Sequence, residues 1–299
     1  LMKSKHPFIV DICFAFQTPT KVYIGLEYVA GGELFSHLRK CKKLPLEEVR
    51  LYVAELSLAI DYLHSQNIIY RDLKPENVLL AMDGHVKLTD FGLAKILPTD
   101  LKQAETFCGT NEYLAPEIVQ RNPYGPPIDW WALGILTYEL LYGVPPFYES
   151  TKLKIFKQIL NDQPKYPDDT DETIKSFISI LLEKDPAKRA HFAQIKSHPF
   201  FNGLDFKDVL EKKYTPLYVP PHTSGVAGNF DEEFTNEKCI DSSGELTFAE
   251  GHEFHGFSFY GGLNKIGSYS STDSNIELAN ESSSILDESS IRENSSIVP

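Results

Sequence analysis

Apolar and polar residues alternate over residues 9–16 and 21–28, which predicts two β-strands joined by a Thr-Pro-Thr turn. Over residues 46–66 the apolar positions recur every three or four residues, as in an amphipathic helix. From residue 129 the run DWWALGILTYELLYG is apolar on all sides, which is typical of a helix buried in a large domain. Short apolar runs predict further strands at 68–70, 78–81 and 85–88. Further helices are expected at 151–161, 171–183 and 190–197.

The character of the chain changes after about residue 204. Residues 214–221 are rich in proline, which predicts a segment extended along a surface. Residues 230–299 hold 14 acidic and 3 basic side chains and carry most of the net charge of −13. Residues 261–299 combine many serines with scattered acids, which predicts disorder. Because the acidity belongs to this tail, it argues against a body that binds nucleic acid.

Composition limits the class of protein further. No apolar run approaches the roughly 20 residues that a helix needs to span a bilayer, so no membrane segment is predicted. The four cysteines lie far apart without metal-binding spacing, which predicts reduced thiols in a protein of the cytoplasm, or also of the nucleus. The chain begins with Leu1, and residues 1–5 resemble the end of a helix, so we expect a fragment of a longer protein.

Three motifs occur in order along the chain: YRDLKPEN at residues 70–77, DFG at 90–92 and APE at 115–117. Each alone would mean little, but the series resembles the catalytic loop, magnesium loop and activation-segment end of protein kinases. Tyr70 stands where most kinases have His, and DGHVKLTDFGLAK and TFCGTNEYLAPE are similar to the AGC group of serine/threonine kinases. The run of residues 124–147 resembles the Akt, protein kinase C and serum-kinase branch.

This resemblance implies an α+β, bilobal protein-kinase fold and a division of the chain into four parts. Residues 1–30 would be a remnant of the small lobe and its hinge, and residues 31–201 the mostly helical large lobe. Residues 202–260 would be the AGC C-terminal tail, followed by the disordered residues 261–299. The implied function is transfer of the γ-phosphate of ATP to Ser or Thr of protein substrates.

The resemblance also assigns catalytic roles to residues of the first two motifs. Asp72 would align the substrate hydroxyl and receive its proton, and Lys74 would neutralise charge on the γ-phosphate. Asn77 and Asp90 would supply oxygen ligands to Mg²⁺, which prefers carboxylate and amide oxygens. The implied cofactors are therefore ATP and Mg²⁺. The nucleotide would also contact residues at the hinge and the floor of the site: Glu27, Val29, Leu79, Thr89 and Asp90.

Two structural roles follow from the same resemblance. Asp129 would begin the buried helix and brace the catalytic loop. Glu117 would pair with Arg189 in KDPAKR, unless these residues are only helix caps and surface charges. One departure from the family pattern lies nearby, because Asn111 stands where relatives usually have Pro.

Acidic residues are expected to select the substrate. Glu33, Glu76 and Glu139 match positions that receive upstream arginines in basophilic AGC kinases, and carboxylates pair geometrically with guanidinium groups. Taken alone, Glu33 could equally be a solvated acid at the start of a helix.

Phosphorylation is expected at two places. An upstream kinase would phosphorylate Thr106, and Arg71 and Lys95 would bind that phosphate; Thr110 is the nearest alternative. In the tail, residues 230–234 resemble the segment that AGC tails lay near the adenine pocket. A hydrophobic motif would comprise Phe254, Phe257, Ser258 and Phe259, with Ser258 phosphorylated, unless this patch is a stray apolar segment.

Two other functions remain open from the sequence. The chain as given shows no Gly-rich loop and no strand Lys with its Glu partner, so it could be a non-catalytic, kinase-derived binding module. For the same reason we expect residues 1–299 alone to lack appreciable kinase activity and to expose an unpaired sheet edge. A small-molecule phosphotransferase is disfavoured by the activation segment and the hydrophobic motif.

Overall fold

The computed structural model describes residues 5–18, 21–98, 103–222, 227–231, 235–238 and 258–260. Strands in these ranges are β1 (Ile12–Gln17), β2 (Val22–Leu26), β3 (Ile68–Ile69), β4 (Val78–Leu80), β5 (Val86–Leu88), β6 (Lys95–Ile96) and β7 (Phe259–Tyr260). Helices are α1 (Leu34–Cys41), α2 (Leu46–Ser65), α3 (Pro116–Val119), α4 (Pro127–Tyr142), α5 (Lys152–Asn161), α6 (Glu172–Leu181), α7 (Phe192–Lys196) and α8 (Phe206–Leu210). Short 3₁₀ turns lie at Pro75–Asn77, Asn111–Tyr113 and Pro199–Phe201.

The helical core is built around α2 and α4. Trp131 and most other residues of α4 are buried, as its apolar sequence predicts. Pro127 occupies the first turn, where a missing N–H costs nothing, and Gly143 ends the helix at φ 84°. A Cβ on Gly143 would lie 2.1 Å from the carbonyl oxygen of Lys42, so the close approach of these two segments requires glycine there.

The sheets are small and antiparallel. β1 pairs with β2 through Ala15 and Ile24, β3 pairs with β6, and β4 pairs with β5. β1 begins three residues later than the alternation predicts. The reason is a long-range contact: the backbone of Phe8 and Val10 bonds to Leu88 of β5 at 2.8 and 2.9 Å, so these residues join the large lobe.

The third strand of the first sheet comes from the tail. In β7, Phe259 pairs with Ala15 and Tyr260 with Phe14, which gives the strand order β2-β1-β7. The expectation of an unpaired edge is therefore wrong for β1. Within the described ranges, no strand pairs with the outer edge of β2.

The tail returns along the large lobe before it reaches this sheet. Residues 214–222 have no regular secondary structure and lie against α1, where the Tyr218 ring stacks on His37 with centroids 3.7 Å apart. The side-chain amide of Asn229 then donates to the carbonyl oxygens of Ala30 and Pro221 at 3.0 and 3.1 Å. In the part of the chain that is described, no helix is long and apolar enough to cross a membrane.

Candidate active site

The predicted catalytic loop connects β3 to β4 and is held by a carboxylate from the first turn of α4. Asp129 accepts hydrogen bonds from the backbone N–H groups of Tyr70 at 2.9 Å and Arg71 at 2.8 Å. His64 of α2 lies 2.7 Å from the same carboxylate, which is 1% exposed. These bonds hold Arg71 at φ 73°, a left-handed conformation that a non-glycine residue rarely adopts. The expected bracing of the loop by Asp129 is confirmed.

Asp72 lies at the centre of a polar cluster. The amide nitrogen of Asn77 donates to its carboxylate and to its carbonyl oxygen, both at 2.8 Å. The ammonium of Lys74 lies 3.1 Å from the carboxylate, and the Thr110 hydroxyl donates to it at 3.3 Å. The structure therefore brings together Asp72, Lys74 and Asn77, as the motif predicts. Thr110, which by resemblance serves the substrate pocket, adds a contact from the activation segment.

Oxygen ligands for a cation lie next to this cluster. The N–H of Thr89 donates to the carbonyl oxygen of Asn77 at 3.0 Å, which ties the end of β5 to the catalytic loop. Asp90 follows at φ 49°, and one carboxylate oxygen accepts from the N–H of Gly92 at 2.9 Å. Because the Asn77 nitrogen is directed to Asp72, its amide oxygen is the atom left to face a cation. One amide and one carboxylate oxygen fit a hard divalent ion that keeps some of its water.

The predicted nucleotide contacts divide into two groups. Val29 is buried, and Leu79 of β4 is half-buried; the N–H of Leu80 donates to Gly32, which joins the hinge to β4. Glu27 differs, because its side chain is already engaged. One carboxylate oxygen accepts from the N–H of Asp11 at 3.0 Å and lies 2.5 Å from the ammonium of Lys87. Its backbone N–H donates to the carbonyl oxygen of Asp11 at 2.9 Å, so the carbonyl oxygen is the group of Glu27 best suited to bind adenine.

The activation segment contacts the catalytic loop through Arg71. Its guanidinium donates to the carbonyl oxygen of Leu93 at 2.6 Å and to the Tyr124 hydroxyl at 3.0 Å. Tyr124 in turn donates to the carbonyl oxygen of Thr106 at 2.5 Å. Thr106 itself is exposed, so it is accessible to a modifying enzyme. These contacts link Arg71 to the Thr106 backbone. Lys95, the other residue predicted to bind a phosphate on Thr106, lies in β6 opposite Ile69.

Two of the three acids predicted to bind arginine, Glu33 and Glu139, have raised pKa values. Burial raises the pKa of Glu33, and the charges of Glu76 and Asp231 raise it further. Burial also raises the pKa of Glu139 to about 7, although a hydrogen bond from the Tyr113 hydroxyl lowers it. Glu76 again contributes to the increase, so it lies within electrostatic reach of both other acids.

Comparison with known proteins gives the family. Residues 1–201 match the protein kinase domain, and residues 227–259 match the protein kinase C terminal domain. The chain belongs to the protein kinase family. This pair of domains, together with the relatives below, places the kinase in the AGC group. Members of this family generally use ATP and a divalent metal ion.

Several curated relatives are similar to this kinase over most of its length. The serine/threonine-protein kinase YPK1 of Saccharomyces cerevisiae is 44% identical over 87% of this chain and 39% of its own length. The serine/threonine-protein kinase gad8 of Schizosaccharomyces pombe is 44% identical over 81% of this chain and 43% of its own length. Human serine/threonine-protein kinase Sgk1 is 44% identical over 82% and 58%. The matched part of the chain thus spans less than two thirds of the length of each of these relatives.

The kinase large lobe contains the expected ion pair. Arg189 donates to both carboxylate oxygens of Glu117, at 2.7 and 2.9 Å, and both side chains are buried. The guanidinium also lies 5.2 Å from the ring centre of Trp131. The pair therefore anchors the end of the activation segment to the helical core, and the alternative of surface charges is wrong.

The kinase tail was predicted only in part. The Phe230 ring lies 6.2 Å from that of Tyr28, so the start of the predicted segment 230–234 packs beside the hinge, whereas residues 232–234 lie outside the described residues. Sequence reasoning missed Asn229, although it directly precedes the recognised motif and bonds to the hinge. Ser258 is exposed and Phe259 lies in β7. Phe254 and Phe257 lie outside the described residues, so their anchoring role stays a prediction.

Proposed function

We propose that this protein is a Mg²⁺- and ATP-dependent protein serine/threonine kinase. The observation that carries the proposal is the cluster at Asp72, where Lys74, Asn77 and Thr110 converge on one carboxylate. Such a cluster fits phosphoryl transfer, which depends mainly on positioning and charge stabilisation. Retention of these residues and of Asp90 disfavours a binding module that has lost catalysis.

In this mechanism the carboxylate of Asp72 orients the hydroxyl of the target Ser or Thr and accepts its proton. Asn77 holds Asp72 through two hydrogen bonds, so the carboxylate does not need to reorganise during the reaction. Lys74 offsets negative charge at the transferred group. Asn77 and Asp90 would hold Mg²⁺, which would neutralise phosphate charge when bound together with ATP.

We also propose that substrates carry arginine upstream of the target residue. Glu33 and Glu139 support this proposal, because burial and repulsion by the exposed Glu76 leave their charges poorly compensated. A guanidinium provides the missing counter-charge and fits carboxylates with two parallel hydrogen bonds. A bound arginine would lower the raised pKa of Glu139 and so favour its ionised form.

Regulation by phosphorylation belongs to the same proposal. A phosphate on Thr106, added by an upstream kinase, would lie in the segment that Tyr124 already connects to Arg71. A phosphate on Ser258 would lie directly beside β7. The predicted site of action is the cytoplasm, or also the nucleus.

The proposal is tested with a fusion protein. In it, residues 1–299 follow the N-terminal part of the yeast relative YPK1, up to the position that aligns with Leu1. We expect phosphorylation of an arginine-containing peptide, with a fall in kcat of about a thousandfold or more for Asp72→Asn. Asp169→Asn removes an exposed carboxylate elsewhere and should retain full activity. Activity that survives Asp72→Asn would refute the mechanism, and nucleotide binding without any phosphorylation would favour a binding module.

A further inference from the structure

A nucleophile, a base and an acid lie in line at the end of α1, outside the active site. The sulfur of Cys41 is 3.8 Å from Nδ1 of His37, one helical turn earlier. Nε2 of the same ring is 2.7 Å from a carboxylate oxygen of Glu48 on α2. Cys41 is exposed, whereas His37 and Glu48 are buried. This order of groups is the arrangement in which a weak nucleophile is activated by an oriented base.

The surroundings fix the imidazole in the orientation that this role requires. A carboxylate oxygen of Glu48 accepts a hydrogen bond from Nε2–H, so a neutral ring presents the lone pair of Nδ1 to the Cys41 thiol. Tyr218 of the tail stacks on the imidazole at 3.7 Å and covers one face of it. The ring therefore has little freedom to turn away from the sulfur.

Positively charged residues flank Cys41 in the chain. Cys41 is the last residue of α1. Exposed cations occupy the two positions on either side of it: Arg39, Lys40, Lys42 and Lys43. They can attract a negatively charged reagent to the same place.

We propose that Cys41 is a reactive thiol that forms mixed disulfides with small anionic disulfides, the class to which oxidised glutathione belongs. His37 takes the proton of the Cys41 thiol, and the sulfur attacks one sulfur of the reagent. A Cys41–reagent disulfide forms as the S–S bond of the reagent breaks, and the departing thiolate takes up the proton. The reagent is thereby half reduced and the protein thiol oxidised, with no further oxidant. Nothing in this step depends on kinase activity.

Cys13 provides an internal reference, because it is also exposed but sits in β1 between Ile12 and Phe14 rather than between cations. Residues 1–299 are treated under native conditions with oxidised glutathione, quenched in acid and digested, and the mixed disulfide at each cysteine is quantified over time. We expect Cys41 to react roughly tenfold faster than Cys13. With cystamine, a cationic disulfide, the preference should fall several-fold, and high salt should reduce it for glutathione.

Equal rates at the two cysteines, or a faster Cys13, would overturn the proposal, and this comparison needs no variant. His37→Gln should then slow Cys41 without changing Cys13, which tests the base. Replacing both Lys42 and Lys43 by Gln should slow the reaction with oxidised glutathione but not with uncharged hydroxyethyl disulfide. Lys207→Gln, a change at an exposed lysine on α8, is the matched control and should leave both rates unchanged.

Discussion

The catalytic loop and the β1–β2 sheet are positioned by opposite means. Asp129, which holds the loop, is 1% exposed and bonds to two backbone N–H groups and a histidine. In the sheet, by contrast, Ile24 and Leu26 are 57% and 48% exposed, and the third strand comes from the distant tail.

This difference shows how each region can fail. Buried charges with several partners are costly to disturb, because removing one partner leaves the others desolvated and unpaired. A sheet with exposed apolar side chains and a short third strand loses little when any one contact is removed. Substitutions should therefore have large effects in the loop and its supports and small ones in the sheet.

The largest effect is expected for Glu117→Ala, which leaves the buried guanidinium of Arg189 without its carboxylate. Loss of one partner of a buried pair costs about 3–5 kcal/mol in the free energy of unfolding. Urea titration followed by circular dichroism measures this. Glu149→Ala breaks only the exposed pair with Lys154 and should be indistinguishable from the unmodified protein. Similar stability of both variants would show that the buried pair stabilises the fold no more than the exposed pair does.

Asp129→Asn should follow, with a loss of about 2–3 kcal/mol. The amide keeps the volume but offers one acceptor oxygen where the carboxylate uses two, so the N–H of Tyr70 or Arg71 loses its partner. Hydrogen exchange of these two amides should accelerate more than exchange in α2. Unchanged protection of both amides would mean that the loop does not depend on this carboxylate.

The pH dependence of stability tests whether Glu139, a mostly buried acid of the large lobe, destabilises the fold when it is ionised. Its pKa is about 7, above the ordinary value of 4.5, so the folded state holds its proton more tightly than the unfolded state. Stability should therefore decrease as pH rises from 4.5 to 7 and remain low above that. Glu139→Gln should flatten this dependence and stabilise the protein at pH 8 by roughly 2–3 kcal/mol. Parallel pH profiles of the two proteins would contradict the assignment.

Asn229→Ala should cost about 1 kcal/mol or less, because two partly exposed hydrogen bonds to Ala30 and Pro221 are lost. The loss should appear as faster limited proteolysis of the tail, with little change in global unfolding. Asn202→Ala, at an exposed position, serves as the control. Equal proteolysis rates would show that the bonds of Asn229 do not retain the tail.

The smallest effect is expected for Ile24→Thr in β2. The side chain is more than half exposed and threonine is also β-branched, so the change should stay within about 0.5 kcal/mol. Solubility, measured by light scattering, should improve because the exposed strand becomes more polar. A loss of several kcal/mol would show that the Ile24 side chain is buried in solution.

The catalytic loop could be predicted because its residues are contiguous in the sequence and their spacing is set by one local turn. The pair of Glu117 and Arg189 was also predictable, although only from resemblance, since no local pattern joins residues so far apart. His64 and Tyr113 were missed. Their polar groups matter because folding buries them beside Asp129 and Glu139, and burial cannot be read from residue type alone.

The small sheet was predicted less well for a related reason. Alternation suggested that residues 9–16 form one strand, but residues 8–10 bond to β5 instead. β7 was not predicted, because a two-residue strand carries no periodicity and its partner β1 lies at the other end of the sequence. Local patterns specify helices such as α2 and α4, whereas long-range backbone pairing decides where these short strands begin and end.

The origin of β7 has a consequence for the order of events during synthesis. A hairpin such as β1–β2 can form within about 1–10 μs of its emergence. The strand that closes its other edge is encoded more than two hundred residues later, which at about 5–20 residues per second means a delay of roughly 10–50 s. Through that interval the nascent sheet presents an open edge to any extended chain nearby. A ribosome pause between the codons for β2 and those for β7 would therefore lengthen the exposure of this edge.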